Sequence, residues 1–153
     1  MDSWILSLLI FIPVIGSVAM IIASTSIGKE NKNIYKIIAL AATGVQLILA
    51  TILYINFDPS LGIEESPFTV QIDWISSFNI QYFIGVDGLS MPMVLLTALL
   101  SFLCIGISWN VNKAPLGYFA LFLLLDAGMM GVFLSVDFFL FYVFWEVMLL
   151  PMY

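Results

Sequence analysis

The chain has 153 residues, 63% of them hydrophobic and only 9% charged, with a formal net charge of −6. It contains no histidine and no arginine, which excludes imidazole metal sites, histidine acid–base catalysis and arginine phosphate clamps. It has no basic patch to bind nucleic acid. This composition places the chain among integral membrane proteins.

The first apolar run, Trp4 to Ala23, has no basic region before it and no cleavage site, and it is longer than a signal-peptide core. It reads as a retained helix with Pro13 as a kink. A polar loop, Ser24 to Asn33, carries Lys29, Glu30 and Lys32. A second helix is expected over 34–57, with Lys36 in its first turn. Each run is long enough to cross a bilayer.

Residues 58–85 form the one long polar segment, expected to lie outside the membrane. It opens with turn residues (Asp58-Pro59, Gly62, Pro67), and Glu64, Glu65 and Asp73 read as solvated charges. Phe68, Val70, Ile72 and Trp74 alternate with Thr69, Gln71 and Asp73, and Ile80, Tyr82 and Ile84 alternate with Gln81 and Phe83 after a turn at Ser76 to Asn79. Two period-two runs around a polar turn predict a β-hairpin lying on the membrane surface.

A third helix is expected over 89–109. Asp87 or Ser90 can cap it, and Ser90 suits Pro92 better because proline is tolerated in a first turn. The lone cysteine, Cys104, lies in this apolar run and reads as a buried, inert thiol. After a loop with Lys113, a fourth helix is expected over 116–135 and a fifth over 138–153. Only Val136-Asp137 separates them, so they should be antiparallel neighbours. The last stretch falls short of the roughly 20 residues needed to span. The expectation is therefore one membrane domain, the N-terminal part of a longer protein. All four lysines fall on one side of this topology. With that side inside, the N-terminus lies on the outer face.

Two acids lie deep in the apolar runs: Asp126 and Glu146. Glu146 is about 12 Å along the fifth helix and Asp126 about 15 Å along the fourth, at roughly 1.5 Å per residue. Antiparallel neighbours would bring them to nearly the same depth, where an interacting pair titrates as a unit. A carboxylate at mid-bilayer costs on the order of 2.5–3.5 kcal/mol, so it marks a functional site. Glu146 is the stronger candidate for a proton relay. Pro151 offers no N–H to the carbonyl of Val147, which leaves an acceptor beside it. Asp126 is a possible relay or a partner, and equally a neutral, hydrogen-bonded packing residue. No basic residue in these helices pairs with either acid, Lys36 at a helix end aside.

The aromatic cluster from Phe138 to Trp145 reads as lipid-facing or interhelix packing. Ala127, Gly128 and Gly131 are small enough to let helices approach closely. No GxGxxG, CxxC or haem or iron–sulfur ligand set appears. A purely structural membrane scaffold therefore stands beside the proton-relay reading.

Three stretches carry a resemblance: GVDGLSMPMVLLTALL, WISSFNIQYFIGVDG, and LFLLLDAGMMGVFLSVDFFLFYVFWEVMLLPMY. They resemble the antiporter-like membrane subunits of proton-pumping NADH–quinone oxidoreductase, respiratory complex I, and the ending is closest to the subunit M branch. The resemblance implies an all-α integral membrane fold of which these five helices and hairpin-like loop are the start, the whole having fourteen helices. It implies proton translocation coupled to quinone reduction in other subunits, with Glu146 matching the proton-path glutamate of the fifth helix. The family carries a glutamate where this chain has Asp126, so the acid is kept one methylene shorter. It implies no cofactor in this chain; NADH, FMN, iron–sulfur clusters and quinone are expected in other subunits. The expected partners are neighbouring membrane-arm subunits, lipid and protons, in a bacterial inner membrane. A subunit of a multisubunit cation/proton antiporter or a membrane-bound hydrogenase is the alternative.

Overall fold

The computed structural model describes residues 4–27, 32–59, 61–75 and 80–152. Five helices follow one another: α1 (Ile5–Ile27), α2 (Lys32–Asn56), α3 (Ser90–Ile107), α4 (Pro115–Leu134) and α5 (Phe138–Met152). Four of them are long and apolar enough to cross a membrane. The fifth has 15 residues. Between α2 and α3 lies an antiparallel hairpin, β1 (Val70–Ile75) and β2 (Ile80–Ile84). The expected helix order and hairpin are present. Lys29 and the hairpin turn at Ser76 to Asn79 lie outside the described residues.

Helix α4 is the centre of the bundle and packs against α1, α2, α3 and α5. It is apolar all round, as a helix surrounded by others must be. Two apolar clusters stack along it. One, at the hairpin end, gathers Leu9, Leu53, Ile84, Val94, Met130 and Leu134. The other, at the far end, gathers Met20, Ala39, Ile105, Phe119 and Leu123. Helices α1 to α4 pass from one cluster to the other, and between the two lie the buried polar residues Ser17, Gln46, Ser101 and Asp126.

The hairpin pairs Val70 with Ile84 and Ile72 with Tyr82, with a bulge between Asp73 and Ile75. It is also tied to the α4–α5 connection. Gly85 N–H donates to Leu134 O at 2.9 Å and Val136 N–H donates to Phe83 O at 2.9 Å. The strand edge thus continues into the chain turn and sets where α5 starts. Asp137 then caps α5, its Oδ1 accepting the N–H groups of Phe139 and Leu140 at 2.8 and 3.0 Å. Two orphan donors of the first turn are satisfied this way.

The start of α3 corrects the choice of cap. Asp87, not Ser90, supplies the carboxylate: its Oδ1 accepts the Ser90 N–H at 2.7 Å, while Ser90 Oγ accepts the Asp87 N–H at 2.9 Å. These bonds hold the Asp87 carboxyl below its usual range. A depressed folded value stabilises above the unfolded value near 3.8 and the effect is lost as pH falls through the folded one. Asp87→Ala is expected to lower stability by about 1 kcal/mol at neutral pH. Thermal unfolding at neutral pH and well below pH 3.8 checks this, since the difference between variant and parent should shrink in acid.

At the far end Lys36 is only 4% exposed. Its ammonium donates to Asn112 Oδ1 at 3.1 Å and lies 6.0 Å from the centroid of Trp109. Helix α2 is thereby joined to the α3–α4 connection, and the lysine-bearing ends of the bundle sit together. Lys36→Met keeps the stem's packing but leaves Asn112 without its donor. A loss of about 1–2 kcal/mol is expected in denaturant or thermal unfolding of the full chain. Cys104, expected to be buried, is half-buried.

Candidate functional site

The faces of α4 decide where each acid points. Successive helical residues turn by about 100°. Gly128 and Gly131 lie against α5: a Cβ on Gly128 would come within 3.0–3.1 Å of Met148, and one on Gly131 would run into the ring of Phe144. The small residues therefore do permit close approach. Asp126, two residues before Gly128, points to the other side of α4, toward α2 and α3.

There Asp126 is 0% exposed. Its Oδ1 accepts the hydroxyl of Ser101 at 2.5 Å. The side chain of Gln46 on α2 lies within hydrogen-bonding reach of the same carboxyl. Gln46 Nε2 in turn donates to Leu9 O at 3.1 Å. Residue Pro13 explains this last bond. It has no N–H to offer Leu9 O, four residues earlier, and the side chain from α2 takes its place. Helix α1 runs through Pro13 without a break. The result is a polar relay of contacts from α1 through α2 and α4 to α3. Asp126 Oδ2 and Gln46 Oε1 are buried in it with no donor.

Glu146 is elsewhere. Phe144 and Met148 face α4, and Glu146, two residues from each, lies on the opposite side of α5, where it is exposed. It lines a shallow groove with Val147, Leu149 and Leu150. Tyr142, one turn earlier, is close enough to share a hydrogen bond with it. The expected pair of interacting carboxylates is therefore not formed. The α4–α5 contact stands between Asp126 and Glu146. Equal depth does not bring two side chains together when they leave their helices on opposite faces. Among the described residues no group of three or more His, Cys, Asp or Glu converges as a metal site would require.

Sequence reasoning missed Gln46 and Ser101. The available signal was the amide of Gln46 in the middle of an apolar helix, a position that demands a partner. The aromatic cluster is divided between two faces of α5, with Phe144 against α4. Phe138, Phe139, Tyr142 and Trp145 are exposed on α5, and Leu140 beneath them is buried.

Four spans around a buried polar joint, with a hairpin docked at one end, define an α-helical integral membrane protein. The same fold occurs in a chain of respiratory complex I from Thermus thermophilus with bound NADH, with a TM-score of 0.74 at 22% identity over 95% of this chain and 27% of that one. No protein-family model matches the sequence. NADH-quinone oxidoreductase subunit M of Buchnera aphidicola subsp. Schizaphis graminum is 39% identical over 97% of this chain and 30% of its own length. F(420)H(2) dehydrogenase subunit M of Methanosarcina mazei is 33% identical over 96% of this chain and 28% of its own length. Over almost its whole length the chain is therefore similar to curated proteins named NADH-quinone oxidoreductase subunit M. It spans about 30% of the length of the relatives it matches.

Proposed function

We propose that this chain is the N-terminal part of a proton-translocating membrane subunit of an NADH–quinone oxidoreductase, with Glu146 as its proton-exchanging group. The observation that carries this reading is the placement of Glu146. The fifth helix is anchored to α4 through Phe144 and Met148 and turns its one acid outward, away from the core it helps to form. An acid held there for packing would point inward. On the outer face it is offered to whatever packs against α5 in a subunit of the relatives' length.

The chemistry follows from the carboxyl group. A cation brought near Glu146 favours the carboxylate, and its withdrawal favours the acid, so the residue can take up and release a proton as a partner charge moves. A lysine from a later segment is the natural partner. Quinone reduction occurs in other subunits, which hold NADH, FMN, iron–sulfur clusters and quinone. This chain holds no cofactor. It packs against neighbouring membrane-arm subunits in a bacterial inner membrane, its N-terminus on the outer face. The neighbouring positions of Lys36 and Asn112 support that orientation, because they bring the lysine-bearing connections to one end.

A related complex with a different electron donor is the second reading, favoured by the Methanosarcina relative, which is named for F(420)H(2). The full chain carrying an affinity tag, purified from membranes, separates the two. Flavin and iron–sulfur subunits should co-purify, and NADH should drive proton uptake into vesicles without a need for Na⁺. The same co-purification with proton uptake driven by a different reduced donor and not by NADH would instead indicate the related complex, and recovery without those subunits, with Na⁺-dependent proton exchange, a cation/proton antiporter.

A further inference from the structure

Helices α3 and α5 both start on a carboxylate cap, Asp87 and Asp137. The start of α4, at the opposite end of the bundle, has none. Ala114 stands at the N-cap position, in the left-handed region at φ 48°, and supplies no side-chain acceptor. Pro115 carries no N–H. The first backbone bond of the helix runs from Tyr118 N–H to Ala114 O at 3.1 Å. The N–H groups of Leu116 and Gly117, at the positive end of a 20-residue helix, are left to an outside acceptor.

A side chain from another helix points to the same place. Tyr35 on α2 is 3% exposed. With Ala114, Pro115, Leu116 and Gly117 it lines a pocket of about 270 Å³. Its hydroxyl has no hydrogen-bond partner among the described residues. It is also not one of the polar atoms that are fully enclosed without a partner, Gln46 Oε1 and Asp126 Oδ2. The hydroxyl therefore reaches the small surface that Tyr35 keeps, and that surface opens into this pocket. A phenol so nearly buried ordinarily finds a partner. Gly117 leaves the pocket open, since nothing lies within 4 Å of its Cβ position.

The surrounding charges select the ligand. Residues 32–57 and 88–125 contain no acid. Glu30, in the α1–α2 connection, lies outside the described residues. Lys36 follows Tyr35 and is bonded to Asn112, and Lys113 is exposed two residues before Pro115. An O–H, two N–H groups and these ammonium groups suit an anion with several acceptor oxygens. Pro115 also opens a membrane-spanning segment, and Trp109 and Tyr118, exposed at the same end, mark the membrane–water interface. The pocket thus lies at the level of lipid headgroups.

We propose that this pocket binds a phosphate group, with the Tyr35 hydroxyl and the N–H groups of Leu116 and Gly117 as donors and Lys36 and Lys113 supplying the charge. The phosphate belongs to an anionic phospholipid headgroup or is free in solution. The site is separate from Glu146 and does not depend on the role proposed for it.

Two measurements on the full chain in its native assembly test this. Native mass spectrometry counts the lipid retained from micelles containing phosphatidylglycerol or phosphatidylcholine. Unfolding temperature is read in inorganic phosphate and in chloride at equal ionic strength. The parent should retain phosphatidylglycerol over phosphatidylcholine. Tyr35→Phe should weaken that retention about tenfold, the effect of losing one hydrogen bond to a charged group. Its unfolding temperature in chloride should be unchanged, because the lost hydroxyl had no partner. Gly117→Asp places a carboxylate at the helix start, where there is room for it. It should raise the unfolding temperature and abolish retention. Asp73→Asn, at the hairpin end, should alter neither reading. Stabilisation of the parent by inorganic phosphate, absent from Tyr35→Phe and Gly117→Asp and without selective lipid retention, would assign the site to soluble phosphate. Equal responses in the parent and both variants would mean surface attraction to lysines and overturn the proposal. So would a parent indifferent to both probes, or a Tyr35→Phe protein that unfolds earlier in chloride, which would give the hydroxyl a partner within the fold.

Discussion

On the proposed role, replacing Glu146 with glutamine is expected to lower NADH-driven proton translocation by at least about tenfold, within what removing a positioned proton-transfer group costs, and to leave the subunit in its complex. Glutamine matches glutamate in shape but cannot take up or release a proton near neutral pH. Because Glu146 lies on the outer face of α5, where its neighbour is Tyr142 of the same helix, the exchange disturbs no packing of α5 against α4. The contacts that hold α5 belong to Phe144 and Met148, on the other side of the helix. Translocation and assembly should therefore separate. The measurement is NADH-driven acidification of inside-out vesicles, paired with native gel analysis of the complex. Glu146→Asp keeps the titrating group on a shorter arm and should recover part of the rate. Full translocation in the glutamine variant would remove Glu146 from the proton path.

The second large effect is structural. Gly131→Ala should destabilise the α4–α5 pair by about 3 kcal/mol or more, the upper range for overpacking a close-packed contact. The new methyl group falls on the Phe144 ring at its root, against Cγ, where the side chain joins α5. The ring can escape only by moving α5 away from α4. Gly128→Ala meets the backbone of Met148 at 3.1 Å and should act in the same direction more weakly. Gly117, on the same helix, has nothing within 4 Å of its Cβ position. Ala there should be neutral or stabilising by up to about 1 kcal/mol, as expected for helix propensity alone. Membrane accumulation and unfolding temperature of the three variants should rank in that order. A Gly131→Ala protein as stable as Gly117→Ala would mean that α5 does not rest on α4 as described. Loss of the α5 seat would also displace Glu146. Translocation should then fall in Gly131→Ala together with assembly, unlike in Glu146→Gln.

Much of this architecture was legible in the amino-acid order. The lengths of the apolar runs set five helices, because a span needs about 20 residues and every backbone group in it must be bonded within the helix. The period-two runs around residues 70–84 set the hairpin, because alternate residues of a strand face opposite ways. The positions of Asp126 and Glu146 along α4 and α5 followed from counting residues along each run. Only the tertiary structure decided which way those acids face, that Gln46 and Ser101 meet Asp126, that Gln46 serves the carbonyl freed by Pro13, and that the hairpin edge seats the start of α5. Periodicity points inward when one stripe of a helix is apolar and the other is not. Helices α4 and α5 are apolar all round, so their sequences carry no such arrow. In lipid, the choice of face then passes to close contacts between small and large residues on neighbouring helices. Gly128 and Gly131 against Met148 and Phe144 make that choice here.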